Sequence, residues 1–278
     1  MQYLPLPVTA AEDEAVVNKL AKTAIWAPHQ ADWIAAYQTF HANGGSPFAI
    51  NPHDFGPGVG HRQYALYDSR KRSGELGRMR RKAGLKSCPV CGSPVTGDLD
   101  HYLARSIYPE FSIMRANLVP ACRHCNSGVK GNTIHGGDPR RFIHTYFDPW
   151  AAQAIWFVEP IPPYKAATFR PRPMPGLPAP QGEIVEFHLE NVLGTQFYLS
   201  MATYWSSLPG QLKMRDPALT IGSVTQQIDQ ELRVALHSGG TNCWQAALLR
   251  GIRDDAAAIE HLRQEAIAAV LPPLPPMP

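Results

Sequence analysis

Four cysteines in two Cys-x-x-Cys pairs constrain this chain more than any other feature of its sequence. The pairs are Cys88/Cys91 and Cys122/Cys125, and thirty residues separate Cys91 from Cys122. A Cys-x-x-Cys turn places two thiolates on one side of a metal ion, and two such turns complete the tetrahedral four-sulfur site that Zn²⁺ prefers. One pair alone could be a redox motif or chance, whereas two pairs predict a structural zinc site. Because the spacer is longer than in compact zinc ribbons, a folded segment must lie inside it.

The length and composition of the chain indicate a globular protein. Its 278 residues are 44% hydrophobic and 18% charged, which suffices for one large or two modest cores. No basic start precedes an apolar run, and no apolar stretch reaches the roughly 18 residues that span a bilayer. We therefore expect a cytoplasmic protein with no membrane partner. Five cysteines do not resemble a secreted disulfide framework, so we expect Cys243 to be a small buried hydrophobe.

Positive charge is concentrated around the cysteines. Residues 62–141 contain 15 Lys and Arg against 6 Asp and Glu, whereas the rest of the chain contains 11 against 17. Such a band can neutralise several phosphates of a polyanion, although an isolated run of this kind is more often a solvated helix face. Its position beside the metal motif favours a nucleic-acid partner. The candidate phosphate-binding residues are Arg70, Lys71, Arg72, Arg78, Arg80, Arg81, Lys82 and Lys86.

Hydrophobic periodicity predicts a mainly helical α+β protein with a central metal module and helical additions on both sides. We divide the chain into a helical arm, a basic helix joined to the metal region, a Pro-rich connector, a helical C-terminal domain and a Pro-rich tail. These parts correspond to residues 1–61, 62–150, 151–181, 182–271 and 272–278.

The elements expected outside the metal region are mostly helices. Helices are predicted at about residues 11–23, 31–42, 62–84, 191–207, 224–237 and 242–270. Strands are predicted at about 155–158 and 184–189, and no regular structure is expected between Pro160 and Pro180.

The spacer between the cysteine pairs has its own element order. A strand is predicted near Val95 to His101, a second at Asn117 to Val119, and a helix starting near Cys122. The predicted order is strand, strand, helix, with Asp100 and His101 at the end of the first strand.

Three segments together resemble the HNH endonuclease motif in order, spacing and residue type. They are Asp100-His101, Asn117-Leu118-Val119-Pro120, and Cys122-Arg123-His124-Cys125-Asn126 with Lys130-Gly131 close behind. The resemblance covers roughly residues 86–148 and implies a ββα-metal fold with zinc-binding cysteines. It implies that His101 is the general base, that Asp100 binds a catalytic divalent cation, and that Asn117 fixes the loop presenting the histidine.

The last metal-binding position of that motif, often His in the family, is Asn126 here. Because Asp100 and Asn126 offer only oxygen ligands, the catalytic cation is expected to be Mg²⁺ or Mn²⁺. Phosphodiester hydrolysis itself needs a base that works near neutral pH and a cation beside the scissile phosphate, which suits His101 and this oxygen pair. Lys130 lies one helical turn after Asn126 and is expected to contact the phosphate. In the plain alternative, Asp100 is an N-terminal cap or a strand-end residue, His101 is a core histidine with its hydrogen bonds satisfied, and Asn126 is an ordinary helix residue.

The sequence thus predicts a metal-dependent endonuclease acting on nucleic acid, with DNA as the expected substrate. The alternative is a non-catalytic, zinc-stabilised nucleic-acid-binding or adaptor protein. The helical additions contain no recognisable reader domain, and by analogy they suggest a phage-defence effector under the control of a regulatory protein partner. The sequence leaves His144 open between lining the cleft and packing among its aromatic neighbours.

Overall fold

The computed structural model describes residues 1–70, 74–80, 84–216 and 218–271, without the side chain of Ser127. The chain forms two compact units. The first comprises Met1–Gln153 with Leu177–Val192, and the second comprises Ala154–Gly176 with Leu193–Pro278. Within the described residues helices dominate both units, and each unit contains one two-stranded antiparallel sheet. The prediction of a mainly helical α+β protein is therefore confirmed.

The described part of the first unit contains five α-helices. They are α1 (Ala10–Leu20), α2 (Gln30–Ala42), α3 (Val59–Arg70), α4 (Gly74–Arg80) and α5 (Ala179–Val192). Helix α1 starts at a capping box, in which the Thr9 hydroxyl accepts from the Glu12 amide at 3.3 Å and the Glu12 carboxylate accepts from the Thr9 amide at 2.8 Å. The first two helices confirm the predicted pair at 11–23 and 31–42. The predicted basic helix is described as α3 and α4, and residues 71–73 and 81–83 lie outside the described ranges.

Helices α1 and α2 pack within the first unit and do not form a separate arm. Trp33, Tyr37 and Phe40 recur at helical spacing along α2, are fully buried, and the last two rings lie 6.0 and 5.1 Å from that of Phe111. Trp33 Nε1 also donates to the carbonyl of Glu110 at 2.8 Å. This packing anchors the loop that leads from the first strand to the second.

A buried ionic contact joins α1 to the same loop. The Asp13 carboxylate accepts from Arg115 Nε at 3.0 Å and from the backbone amides of Arg115 and Ala116 at 3.1 and 3.2 Å. Arg115 also pairs with Glu75 of α4. Because a buried charge is stable only when it is paired, these contacts fix α1 and α4 to the loop that precedes the second strand.

Strands β1 (Asp98–His101) and β2 (Leu118–Ala121) pair antiparallel, with Asp100 opposite Val119 and His101 opposite Leu118. They are followed by a π-helical turn, Cys125–Val129. The predicted strand–strand–helix order is observed, with β1 shorter than expected. Leu99 and Leu118 are fully buried in a cluster with Tyr67 of α3, so α3 covers one side of the small sheet.

The second unit begins with a β-hairpin whose first strand confirms the one predicted at about 155–158, whereas its second strand lies where no regular structure was expected. Strands β3 (Trp156–Ile161) and β4 (Thr168–Pro173) pair antiparallel from Trp156 with Pro173 to Ile161 with Thr168. The prediction of no regular structure between Pro160 and Pro180 is therefore wrong for β4. A two-stranded hairpin consists only of edge strands, and prolines that lack an amide donor are tolerated there.

Two further predictions in the C-terminal half were wrong. The expected strand at 184–189 lies inside α5, because a short apolar run has no periodicity that separates a buried helix from a strand. The expected helix at 242–270 is two helices, with Asp255 capping the second through the amides of Ala257 and Ala258 at 3.0 Å. The second-unit helices are α6 (Thr195–Arg215), α7 (Ile221–Gly239), α8 (Trp244–Arg253) and α9 (Ala256–Ala268).

Two sequence expectations concern single features. Cys243 is buried at the start of α8, as predicted. None of the helices in the described part of the chain has the length and apolar character needed to cross a membrane. The predicted Pro-rich tail, residues 272–278, lies outside the described residues.

The burial of Glu110, in the loop between β1 and β2, can be tested through its effect on stability. Its side chain is fully buried, and burial raises its pKa from 4.5 to about 7. Between these values the folded state keeps a proton that the unfolded chain has lost, so stability falls as the pH rises through this window. Glu110→Gln should match wild type in urea unfolding at pH 4.5 and exceed its stability by on the order of 2–3 kcal/mol at pH 8. The same difference in unfolding free energy between variant and wild type at both pH values would contradict this prediction. Glu265→Gln is the control, because Glu265 is exposed on α9.

Candidate functional site

The four cysteines of the two pairs form one cluster. Their Sγ atoms all lie within 4.8 Å of one another, all four side chains are buried, and none forms a disulfide. Cys122 Sγ lies 3.7 Å from Cys91 Sγ and 3.6 Å from Cys125 Sγ. A tetrahedral zinc with Zn–S bonds of about 2.3 Å requires S···S distances of about 3.8 Å. The residues present therefore fit a metal such as Zn²⁺.

Local backbone contacts hold these sulfurs together. Gly92, at a positive φ of 82°, closes the first turn by donating to the carbonyl of Cys88 at 2.8 Å. The amide of Cys122 donates to Cys88 Sγ at 3.3 Å, which links the two turns and stabilises a thiolate. His188 of α5 adds a tie from outside, since its Nε2 donates to the carbonyl of Val90 at 2.7 Å and its Nδ1 accepts from the amide of Ile143 at 3.0 Å.

Asp100, His101 and Asn126 line one cavity of about 270 Å³, which we call the central cavity. The first two residues end β1, and the third lies in the π-helical turn that follows β2. Antiparallel pairing of β1 with β2 brings these distant segments together. The structure thus gathers three of the predicted site residues at one place.

The ring of His101 is buried and oriented by the backbone. Its Nε2 donates to the carbonyl of Ser112 at 2.9 Å, and its ring packs edge-on against Tyr67 at a centroid distance of 4.6 Å. Burial lowers the pKa of His101 to about 3, so the imidazole is neutral at pH 7. With its proton on Nε2, a neutral ring has Nδ1 as its acceptor.

Asn126 is oriented by a residue that the sequence analysis missed. Its Nδ2 donates to Asp98 Oδ2 at 2.7 Å, and Asp98 Oδ1 is paired with Arg80 Nη1 at 2.9 Å. Because the amide nitrogen is committed to Asp98, the amide oxygen is the atom left to accept or to bind a cation. The only sequence signal for Asp98 was its position two residues before Asp100 on one strand.

Asn117 is fully buried and organises the loop after His101. Its Oδ1 accepts from the amide of Leu103 at 2.8 Å, and its Nδ2 donates to the carbonyls of Leu103 at 3.1 Å and Phe111 at 3.3 Å. Three hydrogen bonds from one side chain hold both ends of that loop, which also carries the Ser112 carbonyl that orients His101.

Lys130 lies elsewhere than predicted. Its side chain is only 3% exposed, and its Nζ donates to Asp100 Oδ2 at 2.9 Å and to the carbonyls of His101 and Tyr102. A buried ammonium needs all three acceptors, so this group is not available for the expected phosphate contact. Burial raises the pKa of Asp100, and the Lys130 charge opposes that shift.

The predicted basic run is only partly described. Arg80 contacts Asp98, Arg70 donates to the carbonyl of Leu66 at 3.2 Å, and Arg78 and Lys86 are exposed. The remaining members lie outside the described residues; they are Lys71, Arg72, Arg81 and Lys82.

Arg105 is a second residue that the sequence analysis missed. Its Nη1 donates to Asp68 Oδ2 at 3.0 Å and to the carbonyl of Tyr64 at 3.2 Å, and its guanidinium lies 3.9 Å from the Tyr64 ring centroid. It lines the central cavity and a neighbouring cavity of about 630 Å³ that also contains Arg80 and Arg123. Its place four residues after His101, inside the motif, was the available signal.

His144 packs in the core and does not line the central cavity. Its side chain is fully buried, its Nδ1 accepts from the amide of Tyr146 at 3.2 Å, and its ring lies 4.0 Å from that of Tyr102. Of the two roles that the sequence left open, the structure gives the packing role.

Comparisons with known proteins give a limited result. The chain is similar to Protein ea31 of Escherichia phage lambda, with 45% identity over 64 residues. The match covers 23% of this chain and 22% of the phage protein, so the chain matches less than a quarter of that relative's length. No family model and no solved structure matches the chain.

Proposed function

We propose that this protein is a metal-dependent endonuclease of the HNH type, with a zinc-stabilised ββα-metal module over roughly residues 86–148. One observation carries the proposal, namely that Asp100, His101 and Asn126 line a single cavity although they come from separate segments. Each of the three side chains offers what phosphodiester hydrolysis requires. A base and two oxygen ligands meet at one place, beside arginines that can hold a phosphate.

In this proposal His101 takes the proton of the attacking water. Its Nδ1 is the acceptor of the neutral ring, because the Ser112 carbonyl holds the proton on Nε2. The packed Tyr67 ring and the Asn117-braced loop restrict the imidazole to this orientation. Preorganisation of this kind lowers the cost of reaching the reactive geometry.

The residues at the cavity also fit a catalytic Mg²⁺ or Mn²⁺, which would be held by Asp100 and Asn126. Asp100 Oδ2 is bonded to Lys130, so Oδ1 is the carboxylate oxygen for the ion, and the Asn126 amide presents its oxygen because Asp98 binds its nitrogen. When bound, such a cation offsets the negative charge that develops on the phosphate. An all-oxygen donor set favours these hard ions.

The substrate is proposed to be nucleic acid, with DNA as the first candidate. Arg105 lines the central cavity, and Arg80 and Arg123 line the adjoining cavity, so positive charge flanks the proposed scissile phosphate. The partial similarity to a phage protein supports a phage-related context. We extend the proposal to a cytoplasmic phage-defence effector under the control of a protein partner.

The proposal is tested by incubating the full chain with supercoiled plasmid and with single-stranded DNA and RNA. Cleavage is expected with added Mg²⁺ or Mn²⁺ and is not expected in divalent-free buffer. Dialysis is preferable to EDTA because a chelator would also remove the structural metal. Zinc content is measured before and after the assay. Intact substrate under every condition, with zinc retained, would contradict the proposal.

The Lys130 contact favours a second candidate, a non-catalytic nucleic-acid-binding or adaptor protein. The ammonium neutralises Asp100 directly, as it would in a fold that has kept its architecture without its cation. Binding of nucleic acid with no divalent-dependent cleavage is the outcome that this candidate predicts.

Asp98 gives a sharper test of the nuclease proposal. Asp98→Ala should release the Asn126 amide and raise the Mg²⁺ concentration for half-maximal cleavage by about 10- to 100-fold, the usual scale for residues that orient metal ligands. Saturating Mg²⁺ should restore most of the rate. Unchanged Mg²⁺ dependence would contradict the role, and Asp254→Ala, exposed in the second unit, is the matched control.

A further inference from the structure

We infer that the first unit has a pocket for one unpaired nucleobase next to the central cavity, so that the substrate is a strand with an unpaired nucleotide beside the scissile phosphate. This inference rests on the proposed nuclease function. We call the site the base pocket. It has a volume of about 610 Å³, and its lining includes His53, Asp54, Phe55, His61, Tyr64 and Arg105.

The base pocket continues the proposed active site. The base pocket shares Tyr64, Arg105 and Ser106 with the central cavity. The central cavity in turn shares His101, Arg105 and Asn126 with the neighbouring cavity of about 630 Å³ that contains Arg80 and Arg123. Arg105 lines all three. A strand that follows this cleft with its scissile phosphate at His101 therefore has its neighbouring nucleotide at the base pocket.

The walls of the pocket suit a base better than a phosphate. The Arg105 guanidinium stacked on Tyr64 and the imidazoles of His53 and His61 are flat groups on which bases stack. Asp54 also lines the pocket, and its carboxylate repels a phosphate but can accept from a base amino group. The pocket thus combines these flat groups with one carboxylate, and Arg105 lies where the pocket adjoins the central cavity.

The loop that forms one wall is fixed in place. Asp54 Oδ1 accepts from the amide of Gly56 at 2.8 Å, with Gly56 at a positive φ of 86°. The amide of His53 donates to the buried Glu110 carboxylate at 3.1 Å, and the rings of His53 and Phe55 lie 4.4 Å apart. An anchored loop keeps the pocket open without a bound ligand, which reduces the cost of binding.

The size of the pocket suits a single nucleotide. Its volume lies within the range of small-molecule sites. A base in a stacked duplex presents only its edges in the grooves and enters a concave pocket only after leaving the stack. The pocket therefore selects single-stranded, flapped or locally opened nucleic acid over intact duplex.

The test measures binding in a His101→Ala background with Mg²⁺, so that no cleavage intervenes. The probes are a fluorescein-labelled 20-nucleotide single strand and the same sequence as a blunt duplex. Replacing His53 and His61 together by Ala should weaken single-strand binding by about 5- to 100-fold, the scale of losing a stacked base, and change duplex binding by less than about twofold. Replacing both by Phe should retain most of the single-strand affinity, because the flat rings remain.

The control pair is His135→Ala with His237→Ala, two exposed histidines outside the pocket, which should leave both affinities unchanged. Three outcomes would overturn the inference. They are an equal loss of affinity for single strand and duplex in the Ala double variant, an unchanged single-strand affinity in that variant, and a Phe double variant that binds the single strand as weakly as the Ala double variant does. Zinc content and melting temperature verify that each variant is folded. If the wild-type chain cuts no substrate but shows this strand-specific pattern, the nuclease proposal fails and the base pocket stands. If the wild-type chain cuts nucleic acid but the variants do not show this pattern, the nuclease proposal stands and the base pocket fails.

Discussion

Replacing any one of the four clustered cysteines by Ser is expected to remove the bound zinc and unfold the region around it. Binding of a structural zinc ion contributes on the order of 10 kcal/mol to folding, which matches the whole stability of a typical domain. Cys88, Cys91, Cys122 and Cys125 are buried and close enough together to hold one ion, and three remaining sulfurs could not complete its tetrahedron. Elemental analysis should show one zinc per wild-type chain and far less in each variant, with a large fall in melting temperature.

Cys243→Ser is the matched control for this loss. Cys243 is also buried, but it lies outside the cluster, where its sulfur accepts from the amide of Ala246 at 3.5 Å at the start of α8. Serine is a favourable residue at a helix start, so this variant should keep its zinc and most of its stability. A reduced, folded wild-type protein without zinc would contradict the assignment of the cluster.

The motif region was the most predictable part of the sequence. Metal ligands follow short-range rules, and two Cys-x-x-Cys turns can converge on one ion whatever lies between them. The sequence also predicted the two strands and a helix after them, which is observed as the π-helical turn, because Asp100 and Asn117 mark the same short elements on which the resemblance rests.

Residues that act through long-range contacts were harder to find. Asp98 and Arg105 belong to no recognisable pattern, and their roles depend on Arg80 and Tyr64, which α4 and α3 bring beside the strands. The phosphate contact of Lys130 was predicted from helical spacing, which gives the face of a helix but not the depth of burial. A spacing rule could not show that its ammonium meets Asp100 and two carbonyls inside the fold.

The C-terminal predictions failed for a different reason. Four of the six residues at 184–189 are apolar, a composition that fits a strand and a buried helix equally well. The buried side of α5 is set by its contacts, such as that of Phe187 with Phe142 at 5.2 Å. Strand β4 was not predicted because its prolines argued against a strand, but an edge strand tolerates prolines at positions that need no amide donor. Tertiary surroundings decided both cases.

The second large effect is expected for His101→Ala, which should lower cleavage by at least about 100-fold, the usual scale of positioned acid–base catalysis. The reason is loss of the ring whose Nδ1 would accept the proton of water. Zinc content should stay at the wild-type level, because His101 is not part of the cysteine cluster. Affinity for nucleic acid should also persist, since Arg105 and Arg123 remain in place.

Two further variants distinguish loss of the base from loss of the cation ligand and from loss of core packing. Asp100→Asn should also lose cleavage through weakened binding of the divalent cation, with a rate that rises at high Mn²⁺, whereas no cation should restore His101→Ala. His144→Ala removes another buried histidine that only packs in the core, so it should lower the melting temperature without a specific loss of rate in the folded protein. Cleavage by His101→Ala at the wild-type rate would exclude this residue as the base, because no other imidazole is among the described residues that line the central cavity.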